Sequence, residues 1–286
     1  MKGVIAELKC SVHRFCSWPD TVDGHAIHGQ ACAGQNPSAM ISSMNLILLY
    51  ADDVWSGSSC FLANGRRTEH IRSVLRAVVG DTLRVGLYGG DQGNARVDVI
   101  DAAGVTLSVQ LMQSPPPRHR FDIVLALPRP KMLRRILRTV AEFGVSNLHL
   151  INSARVDKSY WQSPLLSQVK LSEALIAGME RSQDTIAPVV HCHQRFRPFV
   201  EDQLPQLCNG RPCWITDKGA PIALSQTPAI PALVMIGPEG GFVPFEIELA
   251  TSVVADRVHL GARILSVDTA LPAVLAQGLA TGVLPS

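Results

Sequence analysis

The chain has 286 residues, of which 47% are hydrophobic and 17% charged, and its formal net charge is +2. That hydrophobic fraction excludes a wholly disordered chain, and the length provides for one large domain or two modest ones. A net charge this small excludes a globally basic nucleic-acid binder, so any such footprint has to be local.

Apolar runs such as Ile230–Ile236 fall far short of the roughly 18 residues of a membrane-spanning helix, and no membrane partner is expected. Seven cysteines are an odd number without Cys-x-x-Cys spacing, which favours reduced thiols and a cytoplasmic location over a disulfide framework.

Residues 1–43 carry Cys10, Cys16, Cys32, His13, His25 and His28 among Gly, Ser, Asp and Pro, without helix or strand periodicity. Cys and His are suitable zinc ligands, but these spacings match no standard module, so no metal is expected. A continuous apolar h-region is lacking, which argues against a signal peptide. The segment reads as an irregular, disordered extension or as translated upstream sequence, with Met44 as a natural start.

From Met44 to Met112 the pattern is short strands around one helix. Thr68 reads as its N-cap, with Ile71, Val74, Leu75 and Val78 on one face and Gly80-Asp81 as its end. Strands follow at Leu83–Tyr88, Ala95–Ile100 and Val105–Leu111, separated by Gly-containing turns. This spacing predicts a small, mostly β barrel over 44–112. Ser114-Pro-Pro-Pro117 cannot continue a strand ladder, so residues 113–120 read as a linker.

Over 121–286 the rhythm becomes strand–helix alternation. Strands are expected at Asp122–Leu127, Asn147–Ile151, Pro188–His191, Cys213–Thr216, Ala232–Ile236 and Arg257–Leu260. Helices are expected at Lys131–Phe143, Leu165–Arg181, Phe245–Ser252 and Thr269–Thr281, the last capped by Asp268 or Thr269. Such units predict an α/β fold with a parallel sheet.

Dinucleotide, P-loop, nucleophile-elbow and zincin motifs are missing from the sequence. His191-Cys192-His193 has no matched partner and reads as structural. The informative stretch is an apolar strand running into Gly237-Pro-Glu-Gly-Gly241. In open α/β sheets ligands bind outside the carboxyl ends of strands, and glycines there let the backbone approach a flat ligand. A second strand and loop, Val258–Leu265, would supply another wall of one crevice.

These two glycine loops in this order, with Leu260-Gly-Ala-Arg-Ile-Leu265 and Thr269-Ala270, resemble the bacterial 16S rRNA uridine-N3 methyltransferases of the SPOUT superfamily. His70-Ile-Arg-Ser-Val-Leu-Arg76 and Ser153-Ala-Arg-Val156 are similar to further family segments, so the resemblance spans Met44 to Ser286. It implies a knotted, SPOUT-type trefoil domain over 121–286, preceded by a PUA-like or OB-like barrel. It further implies a homodimer in the cytoplasm whose partner is the 16S rRNA of the small ribosomal subunit.

S-adenosylmethionine (SAM) would be held by Ile236, Gly237, Pro238, Gly240, Gly241, Leu260, Gly261, Ile264 and Leu265, the apolar members against the adenine. Catalytic candidates are Arg155, Arg263 and Glu239: arginines to stabilise charge on the base or to position phosphate, the glutamate as base or orienter. RNA contacts are expected from Arg66, Arg67, His70, Arg72 and Arg76, with a second basic cluster through Arg118, Arg120, Arg129, Lys131, Arg134, Arg135 and Arg138.

Three departures from the family pattern stand out. Ser266-Val-Asp-Thr269 replaces Arg-x-Glu-Thr, Ala262 replaces a proline, and Glu180-Arg-Ser-Gln-Asp184 lacks a second arginine. They fit a divergent subgroup or a weakened enzyme, which keeps open a catalytically weak RNA-binding or ribosome-assembly factor; a knotted tRNA methyltransferase is a separate alternative.

Overall fold

Four consecutive aliphatics, Leu46-Ile47-Leu48-Leu49, lie near the start of the residues described by the computed structural model, 45–279, and all four are buried. Side chains on a strand alternate between faces. Here Ile47 and Leu49 enter one hydrophobic core, while Leu46 and Leu48 enter another. Their strand, β1 (Ile47–Leu49), therefore belongs to two modules at once. Residues 1–43, with the Cys and His residues considered as zinc ligands, lie outside the described residues.

The first module continues with β2 (Val54–Ser56), β3 (Ser59–Ala63), α1 (Arg66–Glu69), β4 (Thr82–Leu87), β5 (Gln92–Ile100) and β6 (Gly104–Gln113). Where a barrel is expected, the strands form a six-stranded sheet in the order β1-β4-β5-β6-β3-β2. Only the β1–β4 pair is parallel. The helix differs from expectation at both ends. Gly65 is the N-cap, and Thr68 sits at the third helical position, its hydroxyl accepting from the Gly65 N–H at 2.9 Å. The chain then widens into a π-turn over His70–Val74. One extra residue in that turn carries Val74 and Val78 out to 65% and 62% exposure, while Ile71 stays buried.

The second module comprises β7 (Phe121–Ala126), α2 (Pro130–Glu142), β8 (Asn147–Ile151), α3 (Gln168–Ser182), β9 (Val189–His193), α4 (Phe196–Pro198), α5 (Leu204–Cys208), β10 (Cys213–Thr216), β11 (Ile222–Ala223), β12 (Ala232–Ile236), α6 (Pro244–Val253), β13 (Ala255–His259) and α7 (Val267–Gly278). Its sheet runs β11-β13-β10-β12-β7-β8-β9, and every pair is parallel. β7 and β12 are buried at every residue, as strands covered on both faces must be apolar throughout. Asp122 is the polar exception, and its carboxylate accepts from Asn147 and Arg211. The helical segment from Phe196 to Cys208 was not anticipated. At the other end Ser266, rather than Asp268 or Thr269, caps α7.

Contacts outside the linker also join the modules. The Leu46 N–H donates to the Glu180 carbonyl at 2.8 Å, and the Gly89 N–H to the Thr185 carbonyl at 2.8 Å. The Thr185 hydroxyl donates to the Gly90 carbonyl, and Arg66 forms a bidentate pair with Glu180. Among the described residues, no helix is long and apolar enough to cross a membrane.

Candidate active site

Three parallel strands, β12, β10 and β13, lie side by side, with β10 between β12 and β13 although both follow it in the chain. Their carboxyl ends frame a cavity of about 360 Å³, within the range of small-molecule sites. One wall is Ile236 through Phe242 after β12. A second is Leu260, Gly261, Arg263, Ile264 and Leu265 after β13, and a third is Thr216, Asp217 and Lys218 after β10. Ile247 of α6, with Val267 and Ala270 of α7, completes the lining.

All nine residues expected to hold a cofactor line this cavity, together with Glu239 and Arg263. They do so for different reasons. A Cβ on Gly237 would lie 2.9 Å from the Phe242 backbone nitrogen, so the loop closes on itself there without room for a side chain. Gly241 and Gly261 have φ of +72° and +109°, backbone that side chains rarely adopt. Ile264 is 79% exposed, which places it at the rim rather than in an enclosed wall.

Arg155 arrives from the loop after β8, across the intervening β7. Its guanidinium donates to the Gly240 carbonyl and, at 3.4 Å, to that of Gly241. Glu239 lies 3.7 Å from Arg129. Asp268 pairs with Arg135 at 3.3 Å. A hydrogen bond from Ser266 and the nearby Arg135 hold its carboxyl below the usual carboxylate range. Thus Arg129, the N-cap of α2, reaches the glycine loop, while Arg135 within α2, a helix expected to face RNA, pairs with the first turn of α7.

The β10 wall and the buried Glu246 were not among the residues expected from the sequence. Asp217 in that wall is paired with Arg257 at 2.9 Å, while Lys218 is exposed. The available signal was positional: a strand end beside β12 borders the same crevice, once the strand order is known.

The RNA candidates of the first module are placed less openly. Arg66 pairs with Glu180, Arg67 with Asp53 at 2.5 Å, and Arg72 binds Asn64 and the Asp101 and Gly104 carbonyls. A cleft of about 670 Å³ beside Arg66 and Arg67 also holds Asp52, Asp53 and Glu173, so its charges offset one another. His70 is half-buried, and Arg76 is exposed with φ of 51°.

An α/β protein with a glycine-walled crevice at the carboxyl ends of its parallel strands is the class that fold and site define. Residues 115–278, more than half of the chain, match the RNA methyltransferase domain family, and the chain belongs to that family. It is 27% identical over 246 residues to ribosomal RNA small subunit methyltransferase E of Treponema pallidum, covering 83% of this chain and 91% of that protein. The protein of the same name from Rickettsia conorii is 21% identical over 220 residues, covering 76% and 87%. The fold is similar to the crystal structure of ribosomal RNA small subunit methyltransferase E from Neisseria gonorrhoeae bound to S-adenosyl methionine. There the TM-score is 0.63 at 18% identity, covering 82% of this chain and 96% of that one.

Proposed function

We propose that this protein is a SAM-dependent methyltransferase that acts on N3 of a uridine in the 16S rRNA of the small ribosomal subunit, as a cytoplasmic homodimer. The observation that carries the reading is the convergence of three strand-end loops on one cavity, with Arg155 drawn onto the glycine loop. The names of the Treponema and Rickettsia relatives, and the SAM bound to the Neisseria protein, support it. The reading includes a trefoil knot in the last third of the chain, which the position of β10 between β12 and β13 favours.

The residues present fit SAM. Ile236, Leu260, Leu265 and Val267 offer apolar walls for a flat base, and the loops at Gly237–Gly241 and Gly261 offer backbone polar groups. Gly237 lacks space even for a Cβ, so that part of the cradle is set by backbone. When bound, SAM supplies a methyl group on a positively charged sulfur.

The chain's own task is to make uridine N3 nucleophilic, which requires that its proton leave. Arg155 and Arg263 present guanidinium groups that stabilise negative charge developing on the base. Glu239 is the carboxylate within the glycine loop that takes or orients the proton, and Arg129 beside it orients that side chain. In the first module, a PUA-like barrel in this reading, Arg76 and His70 face RNA. Arg66, Arg67 and Arg72 are engaged by intramolecular partners instead.

Nucleoside mass spectrometry of ribosomal RNA from cells with and without the gene tests the proposal. Loss of 3-methyluridine from 16S rRNA in the deletion strain, restored by the gene, is the expected result. An unchanged 3-methyluridine content with altered tRNA nucleosides would shift the substrate to tRNA. SAM binding without turnover on any ribosomal RNA or subunit would replace the enzyme with an assembly factor.

A further inference from the structure

Glu246 belongs to no motif singled out in the sequence, yet it is only 3% exposed. It occupies the third position of α6, and one oxygen accepts the Val243 N–H at 3.0 Å. A capping glutamate ordinarily serves its own helix end in this way. Glu246 also accepts the Ser153 hydroxyl at 3.1 Å and the Ala154 N–H at 2.7 Å, both from the loop after β8.

These bonds close a ring of contacts around the site. Ala154 precedes Arg155, whose guanidinium holds the Gly240 and Gly241 carbonyls. Val243 follows those glycines by two residues and returns to the same carboxylate. Two loops separated by β7 in the sheet are therefore tied twice, by Arg155 to the Gly240 and Gly241 carbonyls and by Glu246 to Ser153, Ala154 and Val243. We infer that Glu246 is a positioning residue for methyl transfer, fixing Arg155 against the glycine loop without touching substrate. The inference rests on the function proposed above.

Glu246→Gln tests it, because the amide keeps the size but turns one acceptor oxygen into a donor facing N–H and O–H groups. Misplacement of a catalytic group by about 1 Å can cost on the order of 100-fold in rate, so kcat is expected to fall about 10- to 100-fold. SAM affinity measured by calorimetry should stay within about two-fold, since SAM-facing loop atoms are retained. Hydrogen exchange should quicken at the Ala154 amide and not in β7. In an Arg155→Ala background the same substitution should cost less than about two-fold, because coupled residues are non-additive.

Equal losses in both backgrounds, SAM affinity falling in step with kcat, or unchanged exchange at Ala154 would each overturn the inference. If Glu246→Gln does not fold, Ser153→Ala removes one donor and decides in its place. A smaller kcat loss with intact SAM affinity is then expected, and an unchanged kcat overturns the inference. Methylation by the wild-type protein is measured first. Its absence removes the proposed function and this inference together, whereas an active wild type with any overturning outcome counts against Glu246 alone.

Discussion

The guanidinium of Arg155 donates to the carbonyl of Gly240, so a side chain from the loop after β8 closes onto the glycine loop after β12. The two strands are not neighbours, because β7 lies between them. Contact between their loops is therefore made above the sheet, at the strand ends where the cavity opens. It sets a guanidinium beside backbone that lines the cavity, which under the proposed function places it to compensate charge on the base.

Replacing Arg155 with Ala removes this donor while leaving the cavity walls in place. Loss of one preorganised donor to a developing anion typically costs about 100- to 1,000-fold in kcat, and that range is expected in initial rates of methyl incorporation. SAM affinity should change little. A kcat within about threefold of wild type, well outside that range, would show that Arg155 serves the loop and not the reaction.

Gly237 and Gly240 should separate binding from rate. An alanine Cβ at Gly237 meets backbone at 2.9 Å, so the loop must shift and SAM affinity should fall at least tenfold, about 1.4 kcal/mol. At Gly240 the Cβ meets the Arg155 side chain at 2.9 Å, which can move aside. Gly240→Ala should therefore lower kcat more than SAM affinity. Calorimetry and steady-state rates on the two variants read this directly, and identical profiles would contradict the separate roles.

The arginines of the first module divide in the same manner. Arg66 and Glu180 form a bidentate pair between modules, with side chains 63% and 15% exposed. Removing either partner should cost stability, by up to about 1 kcal/mol for so exposed an arginine, and should leave RNA affinity unchanged. Arg76→Ala should instead weaken RNA binding and reduce its salt slope by about one. Filter binding across a salt series distinguishes them, and a reduced salt slope for Arg66→Ala would return that residue to the RNA surface.

What the sequence made legible was whatever local pattern encodes. β12 announces itself as an apolar run ending in Gly237-Pro-Glu-Gly-Gly241, and α2 as an amphipathic repeat whose Leu133, Ile136, Leu137 and Val140 are all buried. The π-turn at His70–Val74 was not legible, because a 3.6-residue period gives no hint of an added residue. Nor was Glu246, an ordinary helix glutamate until a loop 92 residues earlier folds against it. Arg66 looked like a free cation for the same reason: Glu180 lies 114 residues away in sequence.

The histidines of the sheet edge predict a pH dependence. His149 on β8 stacks on its register partner His191 at 4.5 Å, and its Nδ1 lies 3.2 Å from Nε2 of His193, whose ring packs on Phe199. Burial pushes the His149 imidazole down to about 3, and the neighbouring His191 and His193 act in the same direction. Asp122 opposes them, and Arg211 adds to the lowering. Burial, then His191, also lowers His193, against a hydrogen bond with Gln203. In the unfolded chain a histidine titrates near about 6.5. Between these values the unfolded state binds a proton that the folded state refuses, so stability is complete above pH of about 6.5 and declines as pH falls toward 3. From pH 7 to pH 5 this one site should remove about 2 kcal/mol. His149→Gln abolishes the titration, so its urea-unfolding free energy should fall less steeply over that range by about the same amount. Parallel curves for the two proteins would mean that His149 is protonated alike in both states, and that its burial among the other two imidazoles carries no such linkage.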